Sequence, residues 1–193
     1  MSDKKYHHGN LRNALIETGI KIIGTEGEEN FSLRKLAREC NVSNAAPYAH
    51  FSGKDEIIQA MQEHITVKMT DYLKETIARC KEPDSEEALI AVGRAYVLFF
   101  INNPSYFEFL FSKGMKVNLS ICGDTSDNFP PFELFKEIYL KVNAKNKRDI
   151  SSDEQELDII HLWSYVHGIA SIAFMKNVTW DKKWEDEIDK LIK

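Results

Sequence analysis

Apolar residues recur every three to four positions along most of the chain, and polar residues fill the gaps. Leu11, Leu15, Ile16, Gly19, Ile22 and Ile23 follow this spacing and predict a helix over 10–26, with Gly24 and Gly27 marking its end. Leu33, Leu36 and Ala37 predict a short second helix that starts after Ser32, a good N-cap, and stops near Cys40 and Asn41. Asn41-Val42-Ser43 is a tight connection to a third short helix over 44–51. Ser43 can cap it, and Pro47 is tolerated in its first turn. Ile57, Ile58, Met61, Ile65, Met69, Leu73 and Ile77 make one face of a long helix over about 54–81.

The pattern continues to the end. Helices are predicted over 85–102, over a short aromatic stretch after Asn103-Pro104, and over 131–145 and 153–176. A last one, over about 180–192, is capped by Thr179. Residues 117–131 read as a loop. No strand and no repeat emerges, so the expected fold is all-α with about nine helices. The expected domains are a three-helix head over 1–60, homeodomain-like, and a helical domain over 61–193.

Composition narrows the class. Hydrophobic residues are 43% and charged residues 28% of 193, a balance that excludes disordered and low-complexity chains. Three cysteines without a CxxC pair read as reduced thiols in a cytoplasmic protein, not a disulfide or zinc framework. The polar start, MSDKKYHHGN, has no apolar secretory core behind it. The longest stretch free of charged side chains, Ile159 to Met175, has seventeen residues and contains two histidines. It reads as a helix buried on most sides by protein, so no membrane partner is expected. His161 and His167 are six apart and fall on different helix faces, so no shared metal site is expected. No nucleophile elbow, phosphate loop, dinucleotide fingerprint or zinc-protease motif is found, so no enzyme and no cofactor is expected.

The two short helices carry the chemistry. A helix-turn-helix needs a supporting helix packed through residues such as Leu33, Leu36 and Ala37, and an apolar plug in the turn, here Val42. Its reading helix needs small residues first, here Ser43, Asn44, Ala45 and Ala46. Hydrogen-bonding and aromatic groups follow one turn on, here Tyr48 and His50. Residues 10–58 resemble the DNA-binding domain of the TetR/AcrR family of bacterial transcriptional regulators. Phe31-Ser32, Leu36-Ala37, Val42-Ser43 and the run Tyr48-Ala49-His50-Phe51-Ser52-Gly53-Lys54 carry the likeness. Pro47 departs from the commonest pattern, which has a larger apolar residue there. The Ala-Pro-Tyr variant and Trp163-Ser164-Tyr165-Val166-His167-Gly168 resemble a branch with a Trp-x-x-x-His-Gly element.

The resemblance implies roles. Ser32 would bind a phosphate at a helix N-terminus. Ser43, Asn44, Ala45 and Ala46 would face base edges, Asn44 with a specific hydrogen bond. Tyr48 and His50 would touch phosphates or sugars, and Lys54 would clamp the backbone. The arm Lys4-Lys5-Tyr6-His7-His8 would reach neighbouring phosphates. The partners implied are a double-stranded, palindromic DNA operator and a small apolar or aromatic effector. The chain would then be a ligand-responsive repressor.

The C-terminal half is rich in aromatics, which either fill a plain core or line an apolar cavity with a few polar anchors. The candidates are Tyr96, Phe99, Phe100, Tyr106, Phe107, Phe135, His161, Trp163 and His167. Small residues on helix 153–176 permit close crossing. Gly168, Ala170, Ile172 and Ala173, with Trp184 and Ile188 of the last helix, are expected in the four-helix bundle of a homodimer. The alternative is a helical ligand-binding protein or enzyme that keeps a helix-turn-helix without operator binding.

Net charge is −5, which by itself argues against DNA. The excess is not in the head. Residues 1–60 hold eight basic and eight acidic side chains, and 61–193 hold seventeen and twenty-two. A neutral head is expected to hold non-specific DNA weakly.

Overall fold

The computed structural model describes residues 8–111, 117–175 and 177–193, with side chains from Leu11 onward. Among them are eight α-helices, two 3-10 turns and no strand. The helices are α1 (His8–Glu26), α2 (Leu33–Glu39), α3 (Lys54–Arg79), α4 (Glu86–Asn102), α5 (Pro104–Phe111), α6 (Pro130–Lys145), α7 (Ser152–Phe174) and α8 (Trp184–Leu191). The chain divides into two compact units, Met1–Ile65 with Ser105–Lys116, and Thr66–Pro104 with Val117–Lys193.

In the first unit, Leu15, Ile16, Ile20, Leu36, Phe51, Ile57 and Met61 are fully buried, as the helical spacing requires. Gly24 does not stop α1, which runs on to Glu26. Its function is close approach: a Cβ there would stand 2.9 Å from the Ser105 carbonyl oxygen. That contact helps explain why the described residues from Ser105 to Phe111 cluster with the head. The stop is Gly27, whose φ of +87° suits glycine.

In the second unit, α4 packs against α6, α7 and α8. Ser85 caps α4, and Ser151 and Glu154 form a reciprocal capping box on α7. Residues 117–129 are pinned from within: Asn128 Oδ1 accepts from Ser120 N at 2.6 Å, and Asn128 Nδ2 donates to Ser120 O. The buried Lys136 ammonium donates to the same carbonyl and pairs with Glu133. Thr179 does not cap the last helix. That helix begins at Trp184 after Lys183, with no side-chain cap. Its other end is held instead. Arg94 of α4 donates to the carbonyls of Ile192 and Asp189, and Tyr165 of α7 donates to that of Leu191. These bonds satisfy the carbonyls that a helix end leaves open.

Helix α7 is not buried on most sides. Trp163, Val166, Ile169 and Ala170 face inward, but Leu157, Ile160, Tyr165 and Ile172 are exposed. It is long and apolar enough by composition to cross a membrane. Only its inward face meets the rest of the unit.

Candidate functional site

The turn after α2 is built by backbone geometry. Val42 N donates to Ala37 O at 2.9 Å and Asn41 N to Arg38 O at 3.0 Å, while Asn41 sits at φ +55°. This is a left-handed helix stop, and asparagine is among the few non-glycine residues that tolerate it. At the other end of α2, Ser32 Oγ accepts from Lys35 N at 3.2 Å. Ser32 therefore acts as the N-cap, and its hydroxyl stays exposed.

The reading element is not the regular α-helix expected over 44–51. It is a turn at 44–46 followed by the 3-10 segment Pro47–Ala49. Bonds run from Ala46 N to Ser43 O, Tyr48 N to Ala45 O, Ala49 N to Ala46 O and His50 N to Pro47 O, each three residues apart. Pro47 has no N–H to reach back to Ser43, so the i-to-i−4 ladder cannot start there. Ser43 uses its carbonyl, and the Ala46 N-cap position has no side-chain bond.

The expected base-reading residues are consecutive in this largely exposed segment. Ser43, Asn44 and Ala45 are exposed, and Ala46 is half-buried. Tyr48 is 56% exposed, so its ring and hydroxyl are open to solvent. His50 is half-buried beside Phe51, ring centroids 6.4 Å apart. Val42 is half-buried in the turn, while Pro47 and Phe51 anchor the element to the core.

Lys54 is already engaged. Its Nζ donates to the Glu28 carbonyl at 3.0 Å and pairs with the Glu28 carboxylate at 3.3 Å. An ammonium has three donors, so a third remains beyond these two contacts. Glu56 accepts from Ser52 N at 2.6 Å, and hydrogen bonding to Ser52 holds its carboxyl below the usual range. Arg12 of α1 was missed by motif reasoning. Its guanidinium lies 5.1 Å from the centre of the Phe51 ring. Only a contact 39 residues away in sequence places it here, and no local spacing signals that. Of the arm, Lys4, Lys5, Tyr6 and His7 and the side chain of His8 lie outside the described residues.

The aromatics expected around an effector divide into three groups. Tyr106 and Phe107 belong to the first unit. Tyr106 donates to both Glu17 oxygens at 2.8 and 2.9 Å, and His64 Nε2 lies 2.8 Å from Glu17 Oε1. Phe107 packs on Phe111 at 4.9 Å. Tyr96 meets Phe100 at 5.1 Å and Trp163 at 4.9 Å, Trp163 meets Phe132 at 4.9 Å, all in edge contacts, and Phe99 packs on Phe100. These rings fill the core of the second unit rather than line a void, because edge-to-face pairs interlock at van der Waals distance. The Tyr96 hydroxyl lies 2.8 Å from His167 Nδ1. Burial pushes the Tyr96 hydroxyl well above, and the His167 imidazole below, the ordinary value.

Phe135 and His161 form the third group. They border a half-open cleft of about 460 Å³ between α4, α6, α7 and residues 192–193. Its walls are mainly apolar, with Ile90, Val142, Leu162, Val166 and Ile192. One end is polar, where Tyr139 donates to Asp158 at 2.8 Å and Arg148 donates to Glu86 at 3.2 Å.

The residues expected at a dimer interface also divide. Ala170 and Ile188 are buried inside the protomer, at 0% and 2% exposure, and cannot meet a partner. The 100° step of the helix turns them to the inner face. Ile172 is exposed, Ala173 is half-buried, and Trp184 packs edge-on against Trp180 at 4.4 Å. A Cβ added at Gly168 would meet nothing within 4 Å.

Comparison with known proteins agrees with the head. Residues 15–61 match the family described as bacterial regulatory proteins, tetR family. The chain is 26% identical over 100 residues to the uncharacterized HTH-type transcriptional regulator YobS of Bacillus subtilis, covering 52% of this chain and 51% of that one. It is 33% identical over 83 residues to the HTH-type transcriptional regulator BetI of Brucella anthropi, covering 42% and 43%. The chain thus spans about half the length of the curated relatives it matches. Among solved structures, FadR of Bacillus subtilis in complex with stearoyl-CoA is similar with a TM-score of 0.72 at 11% identity, covering 93% of this chain and 95% of that one. A Rhodococcus protein of unknown function has a TM-score of 0.70 at 20% identity, covering 98% and 93%. These two likenesses concern the fold.

Proposed function

We propose that this chain, whose residues 15–61 match the tetR family of bacterial regulatory proteins, is a regulator of that kind: sequence-specific, ligand-responsive and DNA-binding, most simply a repressor. The observation that carries the reading is the outer surface of the head. A left-handed stop at Asn41 presents Ser43, Asn44, Ala45 and a 56% exposed Tyr48 side by side. Small side chains let the backbone approach base edges, Asn44 supplies a two-sided amide, and Tyr48 and Lys54 reach the sugar-phosphate backbone.

The exposed face of α7, with Leu157, Ile160, Gly168 and Ile172, supports a homodimer that reads a palindrome. An effector in the C-terminal unit would act by binding one of two conformers more tightly, and its effect equals that difference in affinity. The test is selection of duplexes from a random pool, followed by a mobility-shift titration at two salt concentrations. The expected result is an enriched inverted repeat bound at least a hundredfold more tightly than random DNA. No enrichment, or equal binding to random DNA, rejects the regulator.

A further inference from the structure

The charged side chains that border the cleft of the second unit are not alike. Glu86, Arg148, His161 and Lys193 are exposed. Glu86 and Arg148 also pair with each other at 3.2 Å. Asp158 is half-buried and, among the described residues, has no cation as an ion-pair partner. A charge drawn part-way out of water gains more from an opposite charge than an exposed one does.

Asp158 is held from one side. Its Oδ2 accepts from the Tyr139 hydroxyl at 2.8 Å. Tyr139 is 2% exposed, and the Asn143 amide stands against its hydroxyl. Burial first, and then the bond to Asp158, hold the Tyr139 hydroxyl above its ordinary value, so it keeps its proton and stays a donor. Among the described residues no hydrogen bond reaches the other oxygen, Asp158 Oδ1. A carboxylate has about four acceptor sites, so this one is oriented but far from saturated. Beyond it the walls are apolar, through Ile90, Val142, Leu162 and Val166.

We infer that this cleft takes a protonated amine with an apolar tail, its ammonium on Asp158 Oδ1 and its tail along Leu162 and Val166. An N–H to carboxylate bond is charge-assisted and belongs to the stronger class. Arg148 already has its acidic partner in Glu86, and an acidic ligand would meet the Asp158 carboxylate with like charge. The volume of about 460 Å³ lies in the range of small-molecule sites. This inference names the chemical class of the effector and rests on the regulator reading only for its effect on DNA. It also moves the binding place away from the interlocked Tyr96–Trp163 rings.

The test compares three probes with one common tail by calorimetry on the full chain: octylamine, 1-octanol and octanoate. Octylamine is expected to bind roughly tenfold more tightly than 1-octanol, and octanoate more weakly than either. Asp158→Asn keeps an oxygen for Tyr139 and removes the charge, so octylamine should fall to within about twofold of 1-octanol. Leu162→Trp fills the apolar part of the cleft from a position that is 36% exposed, so the fold can carry it. It should weaken octylamine and 1-octanol alike, by roughly tenfold. Equal binding of amine and alcohol to the unaltered protein overturns the cationic class, and so does tighter binding of octanoate. An unchanged amine preference in Asp158→Asn overturns the role of the carboxylate. Unchanged binding of both probes in Leu162→Trp overturns the cleft as their place. The amine-to-alcohol ratio decides the ligand class without DNA, and the selected-duplex titration decides the regulator without ligand, so either failure is recognised separately.

Discussion

The two units solve the burial problem in opposite ways. The head packs mostly aliphatic side chains around glycine contacts, with Gly19 against Met61 and Gly24 against Ser105, and turns small polar residues outward. The second unit packs interlocked aromatic rings, yet leaves an apolar cleft and the apolar outer face of α7 uncovered. The difference teaches what each unit still lacks. The head needs no further apolar contact, and its outward chemistry suits a polar, charged surface. The second unit has apolar surface to spare, which suits a small molecule and a second protein face.

The largest way to break this contrast is Trp163→Ala. It removes the ring that joins Tyr96, Phe132 and Phe135, and should cost about 3–5 kcal/mol. Chemical denaturation should show the loss as an earlier transition. An effect under 1 kcal/mol would mean that the ring cluster does not hold the second unit. Next is Gly24→Leu in the head. Its Cβ meets backbone that cannot step aside, so a cost of about 1–3 kcal/mol is expected. Gly168→Leu, where a Cβ meets open space in the protomer, should leave monomer stability near wild type. It should weaken self-association in sedimentation if α7 is the dimer face.

Two substitutions sharpen the head. Asn44→Ala should change which base is preferred at one operator position, by about 1–3 kcal/mol. Lys54→Ala should weaken all duplexes alike and reduce the salt slope by about one. Binding that loses no base preference in Asn44→Ala would remove that residue from readout.

The smallest effect is a pH dependence. Burial lowers the folded-state pKa of His167. From its ordinary value near 6.5 downward, the unfolded chain then binds the extra proton first. Stability should fall as pH drops below that value and level off once the folded pKa is passed. His167→Gln should flatten this part of the profile and leave the region above pH 7.5 unaltered. Melting temperatures between pH 5 and 8 would show it, and an unchanged slope in the variant would exclude the imidazole as its source.

Much of the head was legible in the sequence because its signals are local. The Ser32 cap, the stop at Asn41 and the apolar spacing of α1 and α3 depend on neighbours within one or two turns. The same is true of α7, whose capping box is written in Ser151 and Glu154. The reading element was less legible. Pro47 does stand in a first turn, but its missing N–H leaves a 3-10 segment rather than the expected helix.

The amino-acid order alone determined that the chain is helical, where most helices begin and end, and which motif opens it. These follow from propensity, capping and hydrophobic period, all short-range. Tertiary structure decided which aromatics close on one another and which border space, and that Tyr106 serves Glu17 in the head. It also decided that Ala170 faces inward while Ile172 faces out. Each of these depends on contacts between residues far apart in the chain, whose distances no local pattern encodes.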